Sequence, residues 1–147
     1  MVAGFTEAQF YILLIASIAW LIYMTWLSHR PGAVSGQQSK NLAEELGRLI
    51  HIRGAARIAE LNEKLRKAAH IVVFMVLTVL VLNTVHVYSG EIGAAGITAV
   101  GICIWAIIDE ATKLLVIERH FSRLDLFLNI IGVGIGLIIS LSVWKAY

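Results

Sequence analysis

Cysteine and proline are nearly absent from this chain, and charge is scarce. The one cysteine, Cys103, excludes an intramolecular disulfide, and no Cys/His set stands at zinc-binding spacing. Cys103 sits inside an apolar run and reads as a small lipid- or helix-facing residue. The one proline, Pro31, confines the strongest helix breaker to the cluster Ser28-His29-Arg30-Pro31-Gly32. Charged residues are 15% of the chain, well below the roughly one quarter usual in soluble domains. No HExxH, no GxSxG and no phosphatase-type basic triad is present, which removes the familiar hydrolase signatures. No metal and no cofactor is expected.

Apolar residues are abundant. They make up 59% of 147 residues, and the mean hydropathy is +0.80. A soluble fold of this length cannot bury so much apolar surface, whereas a bilayer can. The length suits one domain, residues 1–147. Four runs are long enough to cross about 30 Å of hydrocarbon: residues 10–27, 68–85, 92–108 and 124–144. The first lacks a basic leader and a small-residue cleavage site, so an uncleaved helix is expected. Trp20, Tyr23 and Trp26 lie towards its end, where amphipathic rings suit the headgroup level.

After the breaker cluster, a Gly/Gln/Ser stretch runs to Ser39, and then helical periodicity returns. Leu42, Leu46, Leu49, Ile50, Ile58, Leu61 and Leu65 recur at helical spacing opposite charged residues. Asn41 and Glu44 resemble a capping box. The expectation is one amphipathic interfacial helix over 41–66. Asn83 to Glu91 reads as a short turn between antiparallel spans. Gly93, Gly96 and Gly101 allow close helix approach in the third span, and Gly132 and Gly136 form a GxxxG spacing in the fourth. The fold class is therefore an all-α, four-span bundle, with a homodimer expected through its glycine faces.

Four spans put connections 28–67 and 109–123 on the same side. These hold eleven of the twelve Lys and Arg, which predicts a cytoplasmic location for that side and external termini. Because the cations flank membrane segments, the net charge of +2 reads as a topology and lipid signal, not as nucleic-acid binding. The same side gathers His70, Asp109, Glu110, Lys113, Arg119, Asp125 and Asn129. Asp125 and Asn129 are four apart and share a helix face; Asp109 and Lys113 are four apart and can pair. Ionisable groups at membrane depth usually face a bundle interior or a wet cavity.

Three readings follow from these residues. Asp and Asn cap helix starts while Arg119 neutralises Asp109 or Asp125. Or Arg119 and Lys113 hold the phosphate or carboxylate of a polar headgroup while Asp109, Glu110, Asp125 and Asn129 bond its hydroxyls or amides. Or His70 is a general acid or base oriented by Asp109 or Asp125.

The order of these residues resembles the VanZ-like family of small bacterial membrane proteins, over nearly the whole chain. Ser28-His29-Arg30-Pro31-Gly32-Ala33-Val34-Ser35 is similar to the family's S-x-x-P-G-x-x-S loop, and Arg66-Lys67-Ala68-Ala69-His70 to its R-K-x-x-H entry to the second span. Asp109-Glu110, Arg119, Asp125, Asn129, Gly132 and Gly136 stand at the spacing of its D-E…R…D-x-x-x-N-x-x-G-x-x-x-G pattern. Val73 and Phe74 stand where the family often has an acid and a tyrosine. Lys113 replaces a glutamine, and Ile117-Glu118 replaces a Pro-Gly. The first departure weakens the catalytic reading of His70; Lys113 favours anion binding.

The resemblance implies a multi-pass protein of the bacterial cytoplasmic membrane, in contact with membrane lipids. It further implies a part in resistance to the glycopeptide teicoplanin and a lipid-linked or cell-wall precursor as ligand. A role at the cell wall would suit an external polar face, the reverse of the charge count. The preferred expectation is a binder with Arg119 as anion clamp and Asp109, Asp125 and Asn129 setting the shape. The alternatives are a membrane enzyme acting on a headgroup through His70, and a structural or regulatory protein with no small-molecule site.

Overall fold

The computed structural model describes residues 6–146. Five helices follow in order: α1 (Glu7–Ser28), α2 (Gly32–Leu49), α3 (Ala55–Ser89), α4 (Ala94–Thr112) and α5 (Arg123–Ala146), with a 3-10 turn at Lys113–Leu115. No strand occurs among the described residues. α1, α3, α4 with its 3-10 turn, and α5 are each long and apolar enough to cross a bilayer. The chain is a multi-pass helical membrane protein.

α1 opens on a capping box: the Gln9 amide donates to Thr6 Oγ1 and the Thr6 amide donates to Gln9 Oε1. α1 presents Ile12, Ile15 and Ile22 outward, as a lipid-facing helix must.

The connection after α1 differs from the expectation of one helix over 41–66. α2 begins at Gly32, directly after Pro31, because a proline is well suited to the start of a helix even though it breaks an interior. Asn41 is therefore interior, its Oδ1 accepting from Gln37 Nε2 at 2.8 Å, and caps nothing. α2 ends in a Schellman turn. The Ile52 amide donates to the Gly47 carbonyl at 2.8 Å and that of His51 to Arg48, with His51 left-handed at φ 60°. After this break at 50–54 the chain turns back, and Gly47 packs against Ile58 of α3.

α3 then continues without interruption through the expected boundary at residue 68. Its 35 residues span roughly 52 Å, so it extends well beyond the hydrocarbon and pairs there with α2. The expected turn at Asn83 is also helical. Asn83 satisfies its own amide by donating to the Val79 carbonyl, and it accepts from Trp144 Nε1 at 3.0 Å. The helix ends only at Gly90, which takes the left-handed conformation that glycine adopts at no steric cost.

α3 packs most extensively on α5. The buried stripe of α5 is Asn129, Gly132, Val133, Gly136 and Ser140. A Cβ on Gly132 would collide with the Ile71 carbonyl, and one on Gly136 would lie 2.7 Å from the Met75 carbonyl. The GxxxG spacing thus brings two backbones of one chain together. Gly93, Gly96 and Gly101 face open space and serve no close approach among the described residues. Met24, Phe74, Leu77, Ala99, Ile102 and Ala106 join α1, α3 and α4 in the core.

Candidate functional site at the membrane boundary

Four helix segments meet at one end of the bundle: the end of α1, the first turn of the apolar part of α3, the end of α4 and the start of α5. Side chains tie them together. Ser28 Oγ donates to Asp109 Oδ2 at 2.8 Å, joining α1 to α4. His29 bridges the Thr25 carbonyl and the Thr112 hydroxyl at 2.8 and 3.0 Å. His70 joins α3 to α5.

His70 Nδ1 lies 3.0 Å from Asn129 Oδ1. An amide oxygen only accepts, so Nδ1 carries the proton. His70 Nε2 faces Asp125 Oδ2 at 3.5 Å. Asp125 and Asn129 share one face of α5, as their spacing predicts, and the imidazole lies across both. Asp125 does not cap α5. Ser122 does, its hydroxyl accepting from the Asp125 amide at 3.2 Å.

The expected pairing of Asp109 with Lys113 is replaced by a different one. Lys113 Nζ donates to Glu110 Oε2 at 2.5 Å, and both groups are buried. Lys113 begins the 3-10 turn, and in that geometry a side chain eclipses the one three residues back. The second oxygen of Glu110 accepts from the Ser122 amide at 3.0 Å. Both Glu110 oxygens are engaged, and the residue is a strut that holds the start of α5 against the end of α4.

Arg119 forms an ion pair with neither Asp109 nor Asp125 among the described residues. Its Nε donates to the Arg30 carbonyl at 3.1 Å, which fixes the guanidinium against the loop after α1. Arg30 is in turn held by Gln38 Oε1 at 2.7 Å and lies 4.7 Å over the Trp26 ring. Burial, reinforced by the charge of Arg66, pulls the Arg119 guanidinium below its ordinary pKa, against the opposing pull of Glu110, Asp125 and Asp109. A guanidinium stays charged regardless, so the shift marks a cation that an anion would stabilise.

The turn that presents Arg119 explains the Ile117-Glu118 departure. The Arg119 amide donates to the Val116 carbonyl at 3.2 Å, and Glu118 is left-handed at φ 60°. This is the third turn position, which glycine favours. Glu118 keeps that backbone shape and adds a function: its carboxylate accepts from the Ala33 amide at 2.9 Å, in the first turn of α2. The Gly32 amide donates to the Ile117 carbonyl, and a Cβ on Gly32 would strike Glu118.

Two cavities flank Arg119. The inner one, about 230 Å³, lies among α1, α2 and α3, and its wall includes His70, Asp109 and Asn129. The outer one, about 330 Å³, reaches Glu63, His120 and Asp125. Arg66, Lys113 and Arg119 belong to both walls. Asp109 Oδ1 and Asn129 Nδ2 have no hydrogen-bond partner, although the residues are only 3% and 0% exposed. The site therefore holds one orphaned acceptor, one orphaned donor and three guanidiniums, those of Arg30, Arg66 and Arg119, outside any ion pair among the described residues. It can bind an oxyanion that also offers a hydroxyl or amide. Among the described residues, no three His, Cys, Asp or Glu side chains converge to hold a metal ion.

Sequence reasoning singled out Asp109, Glu110, Lys113, Arg119, Asp125 and Asn129 as ligand-binding residues; the structure brings all six to this end of the bundle with His70, with Glu110 and Lys113 bonded to each other. It did not single out Arg66, Ser28 or Ser122 as site residues. The available signal for Arg66 was its place four before His70, on the same face of one helix.

No curated protein and no solved structure matches the chain. A family model described as VanZ/LLP1 matches residues 11–144. The match takes in all four spans and every residue of the boundary cluster, from Ser28 to Asn129, and the chain belongs to the VanZ/LLP1 family.

Proposed function

We propose that this protein binds an anionic polar group of the bacterial cell envelope, at the face of the cytoplasmic membrane where its basic connections lie. Arg119 is the anion clamp, and Asp109, Asp125 and Asn129 set the shape of the site. The carrying observation is that Asp109 and Asn129, each with one buried polar atom lacking a partner among the described residues, line the same cavity as Arg119. A buried polar atom without a partner costs about 1–3 kcal/mol, and a ligand offering both a donor and an acceptor would recover that cost. The family resemblance extends the reading to a lipid-linked or cell-wall precursor and to teicoplanin resistance. The open glycine face of α4 is where a second copy would pack.

Binding of inorganic phosphate to the purified protein, followed by calorimetry, tests the clamp. Arg119→Ala is expected to weaken it at least about tenfold, the loss of one charge-assisted contact. Wild-type protein that takes up no phosphate, or an Arg119→Ala variant that binds it equally well, would overturn the reading.

A second reading, a membrane enzyme using His70, is favoured by the Asp125 carboxylate beside Nε2. A general base needs one ring nitrogen held by an orienting group and the other free for substrate. Here Nδ1 donates to Asn129, which orients the ring, while Nε2 faces the Asp125 carboxylate at 3.5 Å with no hydrogen bond between them. The binding reading requires that His70→Ala keep phosphate affinity within a few-fold.

A further inference from the structure

The two cavities that share Arg66, Lys113 and Arg119 differ in character. Every residue lining the outer cavity is polar. The inner cavity has Leu27, Leu42, Leu65, Val73 and Phe74 in its wall beside its polar groups. Val73 and Phe74 are also the positions where this chain departs from the acid and tyrosine of the resemblance, so the departure makes this wall more apolar. Lys113 is neutralised by Glu110, which leaves two guanidiniums at the junction. Two planar forks suit the tetrahedral oxygens of a phosphate better than a single carboxylate.

Resting on the anion-binding reading, we propose that the ligand is an amphiphilic phosphate ester. Its phosphate lies between Arg66 and Arg119, its apolar chain enters the inner cavity and its hydrated end faces the outer one. The inner cavity, about 230 Å³, is below the roughly 300 Å³ at which pockets begin to take whole small molecules, so it suits the first segment of a chain. Arg66, one turn before His70 on α3, is a binding residue in this arrangement. The shared chemistry covers glycerophospholipids and isoprenoid phosphates.

The test uses three water-soluble probes on the full chain in non-ionic detergent: inorganic phosphate, dihexanoyl phosphatidate and geranyl phosphate. Each buried methylene is worth about fourfold in affinity, so at least one ester should bind tenfold or more tighter than inorganic phosphate. The tighter ester identifies a glycerophospholipid or an isoprenoid source. Arg66→Gln should weaken all three probes. Leu42→Gln, on a half-exposed position that the fold does not depend on, should reduce only the advantage of the esters. Esters that bind no tighter than inorganic phosphate, or an advantage that survives Leu42→Gln, would overturn the amphiphile while leaving the anion site standing. Absence of binding by all three would overturn both.

Discussion

His70 Nδ1 lies 3.0 Å from Asn129 Oδ1, a single contact that ties the second span to the fourth at the membrane boundary. Asn129 is fully buried, four residues from Asp125 and three from the glycine that touches the α3 backbone. Contact between the helices and the polar site are thus parts of one α3–α5 interface. Asn129→Leu leaves the imidazole proton without its acceptor and is expected to lower stability by about 1–3 kcal/mol. Thermal unfolding in detergent measures this, and an unchanged melting temperature would remove the contact from the argument.

Glu110 and Lys113 form a buried ion pair whose members are hard to lose singly. Lys113→Met leaves the Glu110 carboxylate with only the Ser122 amide and should cost about 3–5 kcal/mol. The double variant Glu110→Leu, Lys113→Met removes both charges and should recover most of that loss. A double variant less stable than Lys113→Met would mean that the Glu110–Ser122 bond matters more than the charge pairing.

The glycines of α5 are unequal. Gly132→Ala puts a methyl into the Ile71 backbone and should lower the melting temperature markedly, because neither backbone can yield. Gly134 faces open space, and Gly134→Ala should raise stability by up to about 1 kcal/mol through helix propensity alone. Equal effects at both positions would contradict the α3–α5 packing.

Glu118 combines an unfavourable backbone conformation with a favourable cap. Glu118→Gly relieves about 1–2 kcal/mol of left-handed strain and gives up a cap worth about 1 kcal/mol, so its stability should stay near wild type. Glu118→Ala keeps the strain and loses the cap, and should be the less stable of the two. Comparing the two melting temperatures decides whether the Ala33 contact counts.

Sidedness can be read from labelling. In a Cys103→Ser background, Lys40→Cys should react with a membrane-impermeant maleimide only in inverted vesicles, and Glu91→Cys only in intact cells. The reverse pattern would put the arginines on the external face, where a cell-wall ligand would meet them.

Much of this could be read from the chain alone, for reasons that do not depend on how the helices pack. Apolar runs of bilayer length set the four spans, and alternation of direction brings Ser28, His70, Asp109 and Asp125 to one boundary. The spacing of Asp125 and Asn129 puts them on one face because α5 is regular there. What the chain alone left open is which face meets which neighbour. Lys113 pairs with Glu110 and not Asp109 because the helix tightens into a 3-10 turn at that residue, a change that spacing does not reveal. α2 starts at Gly32, directly after Pro31, and the Ile117–Glu118 turn, over eighty positions away, accepts its first amides. The inner cavity beside Arg66 and Arg119 gains its α2 wall only once α2 folds back along α3, so composition determined the membrane and the boundary, and tertiary contact determined the site.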